Sequence, residues 1–126
     1  MTIHCKKKIY ISGPMRGKKE SESREAFAEA QALLEASGCT AIDPWDIQEF
    51  LPNMTEEEYL LFDLFIINYM CDAIFMLPGW TASLGARQEF QLAVRHGKEL
   101  QYHEAAEPAD YDIWQRKERR GRRYGN

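Results

Sequence analysis

"DAIFMLPGWTASLGARQEFQLA", Asp72 to Ala93, decides how the chain folds. Ala73 to Leu77 is apolar without polar alternation, the pattern of a strand covered on both faces. Pro78-Gly79 breaks the strand. The residues that follow read as a helix, with Glu89 between the small neighbours Ala86 and Ala93. A doubly covered strand followed by a helix is the unit of a parallel sheet. Two readings of Glu89 stand at this point: a solvated surface carboxylate, or a reagent aimed at something held over the helix start.

Working outward, the same alternation repeats. "KKIYISG" is a strand pattern, with Ile9 and Ile11 on one face and Tyr10 on the other, ended by Gly13-Pro14. "SESREAFAEAQALLEASG" places Ala26, Phe27, Ala30, Leu33 and Leu34 at helical spacing, with Ser21 or Ser23 as cap and Gly38 as stop. "CTAI" is a short strand ending at Asp43-Pro44. "TEEEYLLFDLFIINYM" is a helix opened by a Thr55–Glu58 capping box. After Gly97, "KELQY" is a further strand. The order implies an α/β, flavodoxin-like three-layer sandwich with a parallel sheet of four to five strands. Right-handed crossovers then bring the loops Gly13–Ser23, Asp43–Met54 and Pro78–Ser83 to the carboxyl edge of the sheet.

The bulk numbers fit this size. The chain has 126 residues, suited to one domain over 1–104 followed by a basic tail over 105–126. The net charge of −4 disfavours general binding of nucleic acid polymers. The tail "WQRKERRGRRYGN" is the exception, read either as a solvated segment or as a contact with phosphate or a neighbouring subunit. The longest apolar run, Leu64 to Ile67, is too short for a membrane span. The opening "MTIHCKKKIYIS" has no long apolar core, so no secretory signal is expected. Cys5, Cys39 and Cys71 are scattered, which argues against a disulfide framework or a zinc site and for a reduced, cytoplasmic location. His4, His96 and His103 show no ligand spacing, and no cofactor is expected.

Two loops at the sheet edge suit an anion. In "SGPMRGKK", Gly13 and Gly17 permit positive φ and close backbone approach, and Arg16 offers a planar fork. Neither a P-loop nor a GxGxxG fingerprint is present, and a tight turn with an exposed arginine is the plainer reading. Thr81 and Ser83 stand at a helix start, where free N–H groups favour an anion, although plain capping would also place them there. Asp63 is the one charged residue of "YLLFDLFIINYM". Desolvation there would raise its pKa and suit a general acid, unless a buried arginine or helix N-terminus neutralises it. Two carboxylates near a phosphate grip suggest chemistry at an acetal-like carbon, as in glycoside cleavage.

"IYISGPMRG", "CDAIFMLPGW" and "SLGARQEFQLAVRHGK" together resemble the nucleoside 2-deoxyribosyltransferase-like superfamily, with the nearest likeness to the small DUF4406 proteins. The likeness covers about Ile9 to Leu100. It implies a flavodoxin-like fold, a homodimer or larger assembly, and a small-molecule nucleotide substrate. It also implies that Glu89 is the nucleophile at C1′, that Tyr10 orients it, and that Asp63 acts on the base. Substrate contacts are expected from Ser12, Gly13, Pro14, Met15, Arg16, Gly17, Ser83 and Gly85. Trp45, Trp80 and Tyr59 are candidates to stack the base, or else pack in the core or an interface. Six residues before Glu89, where transferases acting on unphosphorylated nucleosides carry aspartate, stands Ser83. With Tyr10, Gly13, Arg16 and Gly17, this resembles the 2′-deoxynucleoside 5′-phosphate N-hydrolases. The expected function is an N-glycosidase cleaving a (deoxy)nucleoside 5′-monophosphate. A deoxyribosyltransferase and a non-catalytic nucleotide-binding module are the alternatives.

Overall fold

The structure, a computed structural model, describes residues 6–17 and 19–109. Cys5, His4, Lys18 and the tail from Trp114 to Asn126 lie outside the described residues. Four strands, β1 (Lys8–Ser12), β2 (Thr40–Ile42), β3 (Ala73–Met76) and β4 (Glu99–Tyr102), form one sheet in the order β2-β1-β3-β4. Every pairing is parallel, with Tyr10 opposite Ile42 on one side and Ile74 on the other. The helices are α1 (Glu20–Ala36), α2 (Pro44–Phe50), α3 (Glu56–Met70) and α4 (Leu84–Arg95). The fold is the expected α/β, flavodoxin-like three-layer sandwich.

Alternation along β1 divides the core. Ile9 and Ile11 face α1 and pack with Phe27, Ala30, Leu34, Trp45 and Phe75. Tyr10 faces the other way, into the layer of Ile66 and Ile67 from α3 and Ala86, Phe90 and Ala93 from α4. The chain leaves β1 toward β2, then returns past β1 to build β3 and β4. The sheet order therefore reverses between β1 and β3, the place where open α/β sheets bind ligands.

Two local expectations are corrected. Asp43–Met54 is not all loop, because Asp43 caps α2 by accepting from the Trp45 N–H at 2.9 Å, with Pro44 in the first turn. Neither Ser21 nor Ser23 caps α1, which begins at Glu20 with Lys19 in the cap position. Ser23 is buried inside α1, where its hydroxyl donates to the Pro14 carbonyl (3.0 Å) and accepts from the Trp45 indole N–H (3.1 Å). Tertiary partners at the joint of first loop and α2 claim the serine that local pattern offered to the helix end. Cys71 is free and buried.

The Thr55–Glu58 capping box is present, with Thr55 Oγ1 accepting from the Glu58 N–H and Glu58 accepting from the Thr55 N–H. Among the described residues, no helix is long and apolar enough to cross a membrane.

Candidate active site

A cleft of about 630 Å³ opens at the carboxyl edge of the sheet, between the loop after β1, the start of α3 and the start of α4. That size lies within the range of small-molecule sites. Met15, Arg16 and Gly17 line one side, Tyr59 and Asp63 another, and Ser83, Gly85 and Glu89 a third.

Glu89 is 6% exposed, which decides between its two readings. Tyr10 donates its hydroxyl to Oε2 at 2.7 Å, and Ser12 donates to Oε1 at 2.7 Å. Both donors come from β1 at positions two apart, so the pleat points them to one face. Each carboxylate oxygen thus receives one O–H donor, which fixes the plane of the group. Neither Tyr10 nor Ser12 reaches the cleft lining. The expectation that Ser12 touches substrate is therefore corrected to a role behind Glu89.

Asp63 shares the cleft and the layer under it. Burial pushes its carboxyl up to about 7, partly offset by Tyr10. Burial also lifts Glu89 to about 8, with repulsion from Asp63 adding to it and the Tyr10 and Ser12 hydrogen bonds opposing it. The repulsion from Asp63 is present only while Asp63 is charged, whereas the donors on Glu89 are fixed. Asp63 Oδ1 is buried without a hydrogen-bond partner, which penalises its ionised form. The Tyr10 hydroxyl also interacts with Asp63. The paired donors thus favour the charged form of Glu89, and the unpartnered oxygen disfavours that of Asp63.

Ser83 caps α4, its Oγ accepting from the Ala86 N–H at 3.2 Å. A hydroxyl can donate at the same time, and Leu84 and Gly85 follow it in the first helical turn, where amides lack intrahelical partners. This is an anion-ready end of the cleft. Thr81 is not part of it: it sits in a short 3-10 turn, Trp80–Ala82, and donates to Glu107 at 2.6 Å.

The glycines differ in their reasons. Gly17 has φ +83, as expected for a left-handed turn, whereas Gly13 has no positive φ. A Cβ at Gly13 would stand 2.7 Å from the Leu77 Cβ, so glycine is needed there for close packing of the loops after β1 and β3. Arg16 lines the cleft rim and pairs with Glu56, both side chains largely exposed. Pro14 is absent from the lining; its carbonyl serves Ser23.

The tryptophans are corrected as stacking candidates. Trp80 is fully buried, its ring 4.6 Å from that of Phe90 and its indole N–H donating to the Glu107 carbonyl. Trp45 is buried under the Arg24 guanidinium, 4.5 Å above its ring. Both sit in the core because each indole N–H finds a partner there. Tyr59 does line the cleft, its hydroxyl donating to the Leu51 carbonyl at 2.6 Å. Sequence reading missed Gln48, Glu57 and Leu60 in the lining, since they come from elements whose relative placement no local pattern sets. Among the described residues, no group of three His, Cys, Asp or Glu side chains is arranged to hold a metal ion.

The arrangement offers an oriented, buried carboxylate, a second, desolvated carboxyl nearby and an anion-ready helix start in one cleft. A search of curated proteins finds no match to the chain. The profile of one family, described as a domain of unknown function, DUF4406, matches residues 7–102, which hold the whole sheet and every cleft residue named above. The chain belongs to the DUF4406 family.

Proposed function

We propose that the protein is an N-glycosidase that cleaves the base–sugar bond of a (deoxy)nucleoside 5′-monophosphate, in the manner of the nucleoside 2-deoxyribosyltransferase-like superfamily. The observation that carries this reading is Glu89: a buried carboxylate held by two hydroxyl donors in the wall of a cleft it shares with Asp63. An ordinary surface glutamate needs no such fixing. Orientation of a nucleophile against a bound carbon is a large part of catalysis.

The chemistry takes Glu89 as ionised and Asp63 as protonated. Glu89 attacks C1′ and the C–N bond breaks. Asp63 gives its proton to the departing base. Water then attacks C1′ of the glycosyl-enzyme, returns a proton to Asp63 and releases Glu89 with a sugar 5-phosphate. Ser83 and the Leu84 and Gly85 amides suit the 5′-phosphate, as does Arg16 once it exchanges Glu56 for the ligand. An exposed ion pair is weak enough for that exchange.

The test is a screen of nucleoside 5′-monophosphates for base release, read by chromatography. Release of free base and sugar phosphate is the expected result. Transfer of the sugar to an added second base would favour a deoxyribosyltransferase. Binding without any release, at high protein concentration and long times, would favour a non-catalytic module. The same reading carries self-association, supported by Leu61, Phe65 and Tyr69, which lie exposed in a row on α3.

A further inference from the structure

The residues after β4 lie beyond the family match, yet they turn back onto the site-bearing layer. The His103 N–H donates to the Met76 carbonyl (2.9 Å) and the Ala106 N–H to the His103 carbonyl (2.8 Å), reversing the chain. The Ala105 N–H adds a bond to His103 Nδ1 at 3.0 Å, and Ala106 and Ala109 pack against the α3–α4 core layer. This places Glu107 against the turn between β3 and α4.

Glu107 holds that turn at successive residues. Its Oε1 accepts from the Gly79 N–H at 2.8 Å and its Oε2 from the Thr81 hydroxyl at 2.6 Å. Its main-chain carbonyl accepts from the Trp80 indole N–H at 2.9 Å. The held turn begins at Gly79, with φ +85, and runs through a 3-10 turn straight into Ser83, the cap of α4. A single 3-10 turn behind a glycine has little stiffness of its own. Trp80, fixed by the carbonyl, also packs on Phe90, the residue after Glu89.

We propose that Glu107 is a positioning residue that locks the β3–α4 turn so that Ser83 and the first turn of α4 face the anion end of the cleft. Glu107 is not among the cleft-lining residues, so it acts through the turn and not on a ligand. Burial pushes its carboxyl up, but the donors from Thr81 and Gly79 outweigh this and hold it below the ordinary range. The lock is therefore complete near neutral pH, above the ordinary value of 4.5, and is released as acid protonates Glu107. Only the identity of the anion rests on the nucleotide reading above.

Amide hydrogen exchange on wild type, Glu107→Ala and Glu107→Gln tests the lock without any ligand. In Glu107→Ala the Ser83 and Ala86 amides should exchange about tenfold faster, with the Phe27 amide in α1 unchanged. Glu107→Gln, which keeps one acceptor, should recover most of the protection. Calorimetry adds the ligand side: affinity for a deoxynucleoside 5′-monophosphate should fall about fivefold or more in Glu107→Ala, and affinity for the same nucleoside without phosphate should not. Unchanged turn exchange in folded Glu107→Ala, or equal acceleration in α1, overturns the proposal. If wild type binds no nucleotide, the nucleotide reading fails while exchange still decides the lock. Should Glu107→Ala not fold, Thr81→Val removes one of the bonds and gives the same readout.

Discussion

The two faces of β1 carry different burdens. Toward α1 stand Ile9 and Ile11, packed against the apolar side chains of Phe27, Leu34 and Phe75. Toward α3 and α4 stand Tyr10 and Ser12, which spend their hydroxyls on Glu89, with Asp63 close by. One strand of five residues thus anchors the fold with one set of side chains and arms a site with the other. Buried carboxylates oppose folding, and buried apolar groups drive it. The α1 side therefore stabilises what the α4 side strains.

That contrast can be broken by mutation. The largest effect is expected from Glu89→Gln, which keeps shape but removes the charge. Base release should fall on the order of 10⁴-fold, about 5.5 kcal/mol of transition-state binding, while thermal melting shows no loss of stability. A folded Glu89→Gln that still cleaves nucleotides would end the assignment of Glu89 as nucleophile. Next comes Phe27→Ala on the opposite face, which should cost about 3–4 kcal/mol in denaturant melts. A much smaller cost would mean that the α1 side is not the anchor.

Asp63→Asn should do the reverse. Its folded pKa, about 7, lies above its ordinary 3.8, so the folded chain holds that proton more tightly. Ionisation then subtracts stability as pH climbs between those values, fully so above the folded one. The Asn variant should be more stable than wild type by roughly 2 kcal/mol at pH 9 and no more stable at pH 4, by melts across pH. Equal stability at both values would show that Asp63 carries no such strain. The smallest effect belongs to Arg16→Gln at the cleft rim. Losing its exposed pair with Glu56 should change stability by less than about 1 kcal/mol, while affinity for a nucleoside monophosphate falls and its salt dependence flattens.

Much of this was legible beforehand where a short-range rule applied. The alternation of Tyr10 with Ile9 and Ile11, the Thr55–Glu58 box and the apolar strand at Ala73–Met76 each follow from a fixed period or a fixed offset. The place of Ser12 behind Glu89, rather than on substrate, could have been found by the same period, since it shares a face with Tyr10. Glu107 could not. Its partners lie 26 to 28 residues away, and nothing in "EAAEPAD" marks one glutamate for the turn after β3. The tryptophans misled for a related reason: an aromatic suits a base and a core equally well by residue type, and only burial separates them.

By itself the sequence determined the order of elements, the parallel sheet and the edge at which its loops meet, because hydrophobic period and crossover handedness are local or topological properties. The tertiary structure decided which polar groups became reagents. Glu89 is set apart from the glutamates of the other helices by the two hydroxyls 77 and 79 residues away that reach it, and by the burial that makes such contacts necessary. A buried charge is defined by its surroundings, and those surroundings exist only once distant segments have packed.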